Sequence, residues 1–385
     1  MNVGIEVEYW VVDADGHLAS AADLIDAHEY VVPEFVDSLV EIVLPPAGTP
    51  EELEAEFTEA LTAVLDAAHA AGKRLVPLGI PLVEESPPVV SERGRILERI
   101  HGDRLRYAKN CAGTHIHFDA VDPIAQARLL TALDPALALV ATAPYYGGRR
   151  TAASARAAAY RRGMGADFAR FRALRPYLRS SEEHEDRTAE CFAAFVDLAT
   201  GADLDPALVT ELFRPEDVCH GPVRIREDLG TVEWRAPDTA LPSQVIRLAF
   251  DVAAILEASH AKPVVVGDEV GVHPERTVIP PFACLSDLVD EAIYTGLTPS
   301  IEAYLEAFGV DVSSYAPLTE RFPTDERLSA AAARGFRLRA AELLERDAAR
   351  LARTPVVPGP AARKTGFDDP GTGPTPGESV EQVGY

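Results

Sequence analysis

Cysteine is scarce in this chain. Cys111, Cys191, Cys219 and Cys284 stand far apart in sequence and form no C-x-x-C pair, which argues against a disulfide framework or a cysteine zinc site; they read as reduced thiols. No apolar run is long enough to cross a bilayer, and the N-terminus lacks a basic stretch followed by a hydrophobic segment and cleavage site. The expectation is a soluble, cytoplasmic protein without a membrane partner. Lysine is nearly missing too: of 36 basic residues only Lys73, Lys109, Lys262 and Lys364 are lysines, and 61 acidic residues leave a net charge of −25. Such a surface repels nucleic acid, whose binding depends on cations that meet phosphates. It also strains the compact state through self-repulsion unless salt screens it, so the composition points to a salt-rich cytoplasm. The usual phosphate-binding loops are absent as well. Gly72-Lys73 is not followed by Ser or Thr and lacks the upstream glycine, and no G-x-G-x-x-G follows a strand; any nucleotide has to be gripped by metals and arginines.

What remains is 385 residues at 47% hydrophobic content, enough for a real core. A helix is marked after Thr49 by Pro50, Glu52 and the stop at Gly72, the signature of a capped and terminated segment. "RLVPLGI" follows as a short buried strand, Thr114 to Asp119 alternate strictly, and a helix begins near Asp122-Pro123. Alanine-rich helices dominate from about 150 to 200, "VRIREDLGTVEWRAPD" reads as two strands joined at a turn ending in Gly230, and helices resume after Pro242 and run, with breaks, to about 353. The irregular order of strands and helices fits an α+β domain, an antiparallel sheet covered by helices, over residues 1–353. Residues 354–385, rich in Pro and Gly, read as a disordered tail.

Three strand segments carry polar residues two apart: Glu6/Glu8, His115/His117 and Glu233/Arg235. The alternate positions are apolar or small, namely Ile5/Val7/Tyr9, Thr114/Ile116/Phe118 and Val232/Trp234/Ala236. One such strand normally shows its polar face to water. Exposed faces mix Thr, Lys, Ser and Gln, however, and these three supply only carboxylates, imidazoles and one guanidinium. If they line a shared concavity, they offer ligands for hard divalent cations and an anion clamp, the needs of phosphoryl transfer.

In order and rough spacing, "GIEVEY", "EFVDSLVEI", "GTHIHF" and "VRIREDLGTVEWRAPD" resemble the glutamate–cysteine ligases and related carboxylate–amine ligases, between residues 3 and 238. "TVEWRAPD" is similar to the family's T-(V/I)-E-x-R-x-x-D segment and "GTHIHF" to its G-x-H-x-H strand. The tryptophan expected before Arg224 is missing, and "APYY" stands in place of "SPF". The resemblance implies a glutamine-synthetase-like curved sheet forming a funnel. It implies magnesium, or manganese, held by Glu6, Glu8, Glu34, Glu41, His115 and Glu233. It also implies ATP contacts from His117 and Arg224, substrate contacts from Arg156 and Arg235, and catalytic roles for Arg235 and Glu233. The odd offset between Glu34 and Glu41 puts them on opposite faces of a regular strand, so one of them has to lie outside it.

The implied reaction is ATP-dependent formation of γ-glutamylcysteine from glutamate and cysteine through a γ-glutamyl phosphate. The composition resembles halophilic archaeal versions. A ligase with a different amine acceptor, a zinc hydrolase built on "HIHFD" and a non-catalytic acidic binding protein are the alternatives, and a homo-oligomer is compatible with the sequence.

Overall fold

In a computed structural model of the chain, residues 1–353 are described; the tail expected at 354–385 lies outside the described residues. The strands are β1 (Val3–Asp13), β2 (Val31–Pro33), β3 (Leu39–Ala47), β4 (Lys73–Val76) and β5 (Thr114–Asp119), then the two-residue pair β6 (Tyr145–Tyr146) and β7 (Arg149–Arg150). They continue with β8 (Val223–Arg226), β9 (Thr231–Trp234), β10 (Val264–Val266), β11 (Gly271–Val272) and β12 (Thr277–Ile279). The main sheet runs β2-β3-β1-β5-β9-β8, with β4 beside the far half of β1, and every pair in it is antiparallel. With its helices this makes the fold α+β.

The strict alternation read in β1 and β5 decides which face is which. Ile5, Val7, Tyr9, Ile116, Phe118, Val232 and Trp234 all point into one large core, closed by the helices Pro50–Ala70 and Pro242–Ser259. The first of these starts as its sequence requires: Thr49 Oγ1 accepts from the Glu52 amide at 3.2 Å. Glu52 reaches back one residue further than a capping box, accepting from the Gly48 amide at 2.9 Å. Leu53, Phe57, Leu61 and Val64 form its buried stripe, each contributing about 2 kcal/mol by leaving water.

Across the sheet's other face stand the helices Glu92–His101, Ala166–Arg172, Ser181–Gly201 and Pro206–Leu212. They pack around a separate core that includes Ile96, Phe171, Phe195 and Val209.

Two expectations change here. The breaks after Pro242 include a small sheet: β10 lies parallel to β12, which pairs with β11, because the β-branched runs Val264–Val266, between Pro263 and Gly267, and Thr277–Ile279, ahead of Pro280, favour strands. Between 150 and 180 the helical pieces are short, with a π-turn at Ala159–Gly163. All four cysteines are unbonded, yet Cys191 and Cys219, far apart in sequence, come close together, each donating to a backbone carbonyl.

Candidate active site

Register places the polar residues in rows. Directly paired residues of an antiparallel sheet share a face, and Glu8 pairs with Glu41, Glu6 with His115, His117 with Glu233, and Glu233 with Arg224. This face is not solvated: Glu8 is 9% exposed, Glu41 7%, His115 6%, His117 3% and Glu233 0%. It lines a cavity of about 680 Å³ under the helical wall. Glu34 lies just past β2, outside the strand, and its side chain joins Glu8 and Glu41 in that cavity. The odd spacing is resolved by the chain leaving the sheet.

Three groups have ligand atoms within 4.8 Å of one another: Glu6/Glu41/His115, Glu6/His117/Glu233 and Glu8/Glu34/Glu41. His115 Nδ1 is 2.9 Å from Glu6 Oε2, and His117 Nε2 is 3.2 Å from Glu6 Oε1. Burial raises the Glu6 pKa, but His117 and His115 override it and hold the carboxyl well below its usual range. At the other end of the row Glu8, Glu34 and Glu41 crowd together, relieved only in part by the Phe35 amide on Glu34 and by Arg235. Burial and then Glu8 push Glu34 up to about 8, and burial with Glu34, Glu6 and Glu8 pushes Glu41 well above the ordinary value. Several carboxylates crowded in a dry site is an arrangement a hard divalent cation relieves, and the donor set, carboxylates with one imidazole or none per group, suits magnesium or manganese better than zinc. Among the described residues His115, His117 and Asp119 do not form one group; Asp119 Oδ2 accepts instead from the Asn2 amide at 2.8 Å. The zinc-hydrolase alternative therefore lacks its ligand triad.

Glu233 is shared. Arg224 Nε donates to its Oε2 at 2.6 Å, and Arg235 Nη1 donates to Oε1. Burial opposes ionisation of this carboxyl, but Arg224 and Arg235, with the two imidazoles, pull its pKa far down. Arg235 Nη1 also approaches His115 Nδ1 at 3.4 Å, so this guanidinium marks the boundary between the acidic row and a basic end.

That basic end holds Arg156, which hydrogen-bonds the Ala236 carbonyl at 3.2 Å. A Cβ at Gly113 would lie 2.0 Å from its Nη2, so the glycine before "THIHF" is what lets Arg156 cross beside the strand. Gly113 also receives Glu8, whose Oε2 accepts from its amide at 2.7 Å. The last motif residue, Asp238, does structural work: it accepts from the Thr142 amide at 2.9 Å, Thr142 Oγ1 at 3.1 Å and Ser154 Oγ at 3.3 Å.

Each residue singled out in sequence, Glu6, Glu8, Glu34, Glu41, His115, Arg156, Arg224 and Arg235, lines the cavity; His117 and Glu233 sit in the rows beside it. Sequence reading missed Tyr160, Arg172 and His220, which line it too. They fall on helical or loop segments crowded with other arginines, where nothing in the spacing sets them apart. Among the described residues no helix is long and apolar enough to cross a membrane.

Comparison with known proteins shows the family. The chain is 30% identical over 271 residues to a protein of Salinispora arenicola named "Putative glutamate--cysteine ligase 2", covering 66% of this chain and 67% of that one. A protein of the same name from Salinispora tropica is 28% identical over 273 residues, 66% of this chain and 68% of that one. Among solved structures, a bifunctional glutathione synthetase from Pasteurella multocida overlays 92% of this chain with a TM-score of 0.49 at 16% identity, and the chain spans about half, 53%, of that protein. A glutamate–cysteine ligase from Francisella tularensis in complex with AMP gives 0.43 at 15% identity over 92% of this chain and 83% of its own. Overlays of that quality support no argument. The family description "Glutamate-cysteine ligase family 2 (GCS2)" matches residues 2–280, and the chain belongs to that family.

Proposed function

We propose that this protein is an ATP-dependent ligase, with residues 1–353 as its catalytic unit, that joins the γ-carboxylate of glutamate to the amine of cysteine. The observation that carries the reading is the single buried sheet face of Glu6, Glu8, Glu41, His115, His117 and Glu233, which with Glu34 meets an arginine end at one cavity.

A carboxylate does not condense with an amine at neutral pH, because hydroxide leaves poorly. Transfer of the ATP γ-phosphoryl to glutamate gives an acyl phosphate, and the amine then displaces phosphate from it. Divalent cations held by Glu6, Glu8, Glu34, Glu41, His115 and Glu233 would draw charge off the phosphates. The chain's own part is to position and neutralise. Arg235 would stabilise charge on the transferring group and Arg224 would contact the nucleotide; Glu233 fixes both guanidiniums. Burial of the rows excludes the water that would hydrolyse an acyl phosphate.

The test is phosphate release from ATP by purified protein in molar KCl with magnesium, with glutamate present and cysteine added or omitted. Release that needs both amino acids and vanishes in Glu8→Gln supports the reading. Release that ignores cysteine but responds to another amine keeps the ligase and changes the acceptor, and no turnover with any amine refutes it.

A further inference from the structure

Arg172 is 3% exposed, and its Nε and Nη1 have no hydrogen-bond partner. It closes the helix Ala166–Arg172, and its guanidinium lies 4.2 Å from the centre of the Tyr160 ring. Arg156, 5% exposed, lies 5.7 Å from the same ring, and its Nε is also without a partner. The two guanidiniums thus share one aromatic side chain, and with Arg235 and His220 they line both the main cavity and a small recess opening beside it.

A buried cation with no counter-charge costs several kcal/mol, and proteins satisfy such groups in most cases. The debt is odd in this chain, where 61 acidic residues face 36 basic ones. Arg161, on the same turn as Tyr160, has its carboxylate in Asp134 at 2.6 Å. Arg172 has none among the described residues, and Arg156 has only Asp238 nearby. The imidazoles around them do not supply one: burial and then Arg172 hold His220 well below its ordinary pKa and take His101 down to about 3. Asp238, which lies near Arg156, is occupied by Thr142 and Ser154.

We infer that Arg172, Tyr160 and Arg156 form a carboxylate subsite for the α-carboxylate of the dicarboxylic substrate, with Arg172 as the residue that selects for a second carboxylate. The inference rests on the ligase reading for the identity of the substrate. The γ-carboxylate then points past Arg235 to the acidic rows, and the α-carboxylate is held at the opposite end of the cavity. Arg172 is the member that no sequence motif marks.

Calorimetric titration separates the two claims. Wild type, Arg172→Gln and Arg172→Lys are titrated with glutamate, with glutarate, which keeps both carboxylates, and with 4-aminobutanoate, which lacks the α-carboxylate. Loss of a buried charge partner predicts glutamate and glutarate weakened at least about 30-fold in Arg172→Gln, less in Arg172→Lys, with 4-aminobutanoate and ATP changed less than about 3-fold. Thermal unfolding of the ligand-free Arg172→Gln protein should match wild type or exceed it, since an unpaired buried cation has been removed; a clear loss marks a structural arginine and overturns the inference. Equal weakening for all three ligands, or no weakening for glutamate, also overturns it. If dicarboxylates bind and depend on Arg172 while ATP turnover is absent, the subsite stands and the ligase reading falls. If turnover is normal and indifferent to Arg172, the subsite alone falls.

Discussion

Asp134 and Arg161 offer a sharp test of how the substrate end of the cavity is held. Both Asp134 oxygens accept from the Arg161 guanidinium, at 2.6 and 2.9 Å, with side chains 0% and 8% exposed. The pair lies on the core side of β9, where the Trp234 indole also approaches Asp134, and it ties down the π-turn that carries Tyr160. Asp134→Asn keeps the shape and leaves a buried guanidinium facing a neutral amide. Breaking a buried pair from one side costs about 3–5 kcal/mol. With an unfolding entropy of about 2.1 cal/mol/K per residue over about 350 residues, or about 0.7 kcal/mol/K, Tm should fall by roughly 4–7 °C. The assay is thermal and urea unfolding followed by circular dichroism, run in both 0.5 M and 3 M KCl. A desolvated pair is screened little, so the loss should be the same at both salts. Replacing the two together, Asp134→Leu with Arg161→Met, should recover most of the loss, since an apolar pair carries no desolvation debt. A loss under about 1 kcal/mol, or one that shrinks with salt, is the behaviour of a hydrated surface bridge and refutes the argument that this turn is anchored from the core.

Three further outcomes follow from the same geometry. The wild-type protein should gain Tm steadily between 0.2 M and 3 M KCl, because salt screens the self-repulsion of 25 net negative charges; a flat or falling curve rejects the salt-adapted reading. Glu34 is raised from 4.5 to about 8, so without divalent cation the fold retains a proton that the unfolded chain has released. The stability of wild type relative to Glu34→Gln, in which the buried histidines cancel, should then decline as pH climbs from about 5 to about 8, and magnesium should flatten the decline; a rise of that difference over the window contradicts the crowded-carboxylate picture. In Gly113→Ala the new methyl meets the flexible end of Arg156 at 2.0 Å. Tm should hold within a few degrees while the KM for glutamate rises and that for ATP does not, and unchanged glutamate kinetics would show that Arg156 has no part in binding.

Much of the acidic row was legible because strands write their faces into the sequence at period two. Glu6/Glu8, His115/His117 and Glu233 fall on one side wherever the neighbours on the other side are Ile, Val, Phe or Trp. The capped helix from Pro50 was legible because its end signals are local chemistry. Glu34 resisted the same logic: its place depends on a bend after β2 that no periodicity records. Arg172 and Tyr160 were hidden for a different reason. Their segment is rich in arginine, and whether an arginine meets water, an aspartate or nothing depends on packing between elements far apart in sequence. The small sheet at 264–279 was readable from its β-branched runs but was passed over as a break between helices, and the nearness of Cys191 to Cys219 depends on how the helical wall folds onto the loop before β8.

The cavity's acidic strands and its helical wall rest on different interiors, with Val36 and Leu39 of a third cluster lining it between them. Its acidic side is set by hydrogen-bonded register and rests on the main core, while Arg172 and Phe171 belong to a helical wall packed around its own cluster. A substitution in one part need not be answered in the other. Substitutions in the wall can therefore reshape one side of the cavity while the strand register that sets the acidic rows stays as it is.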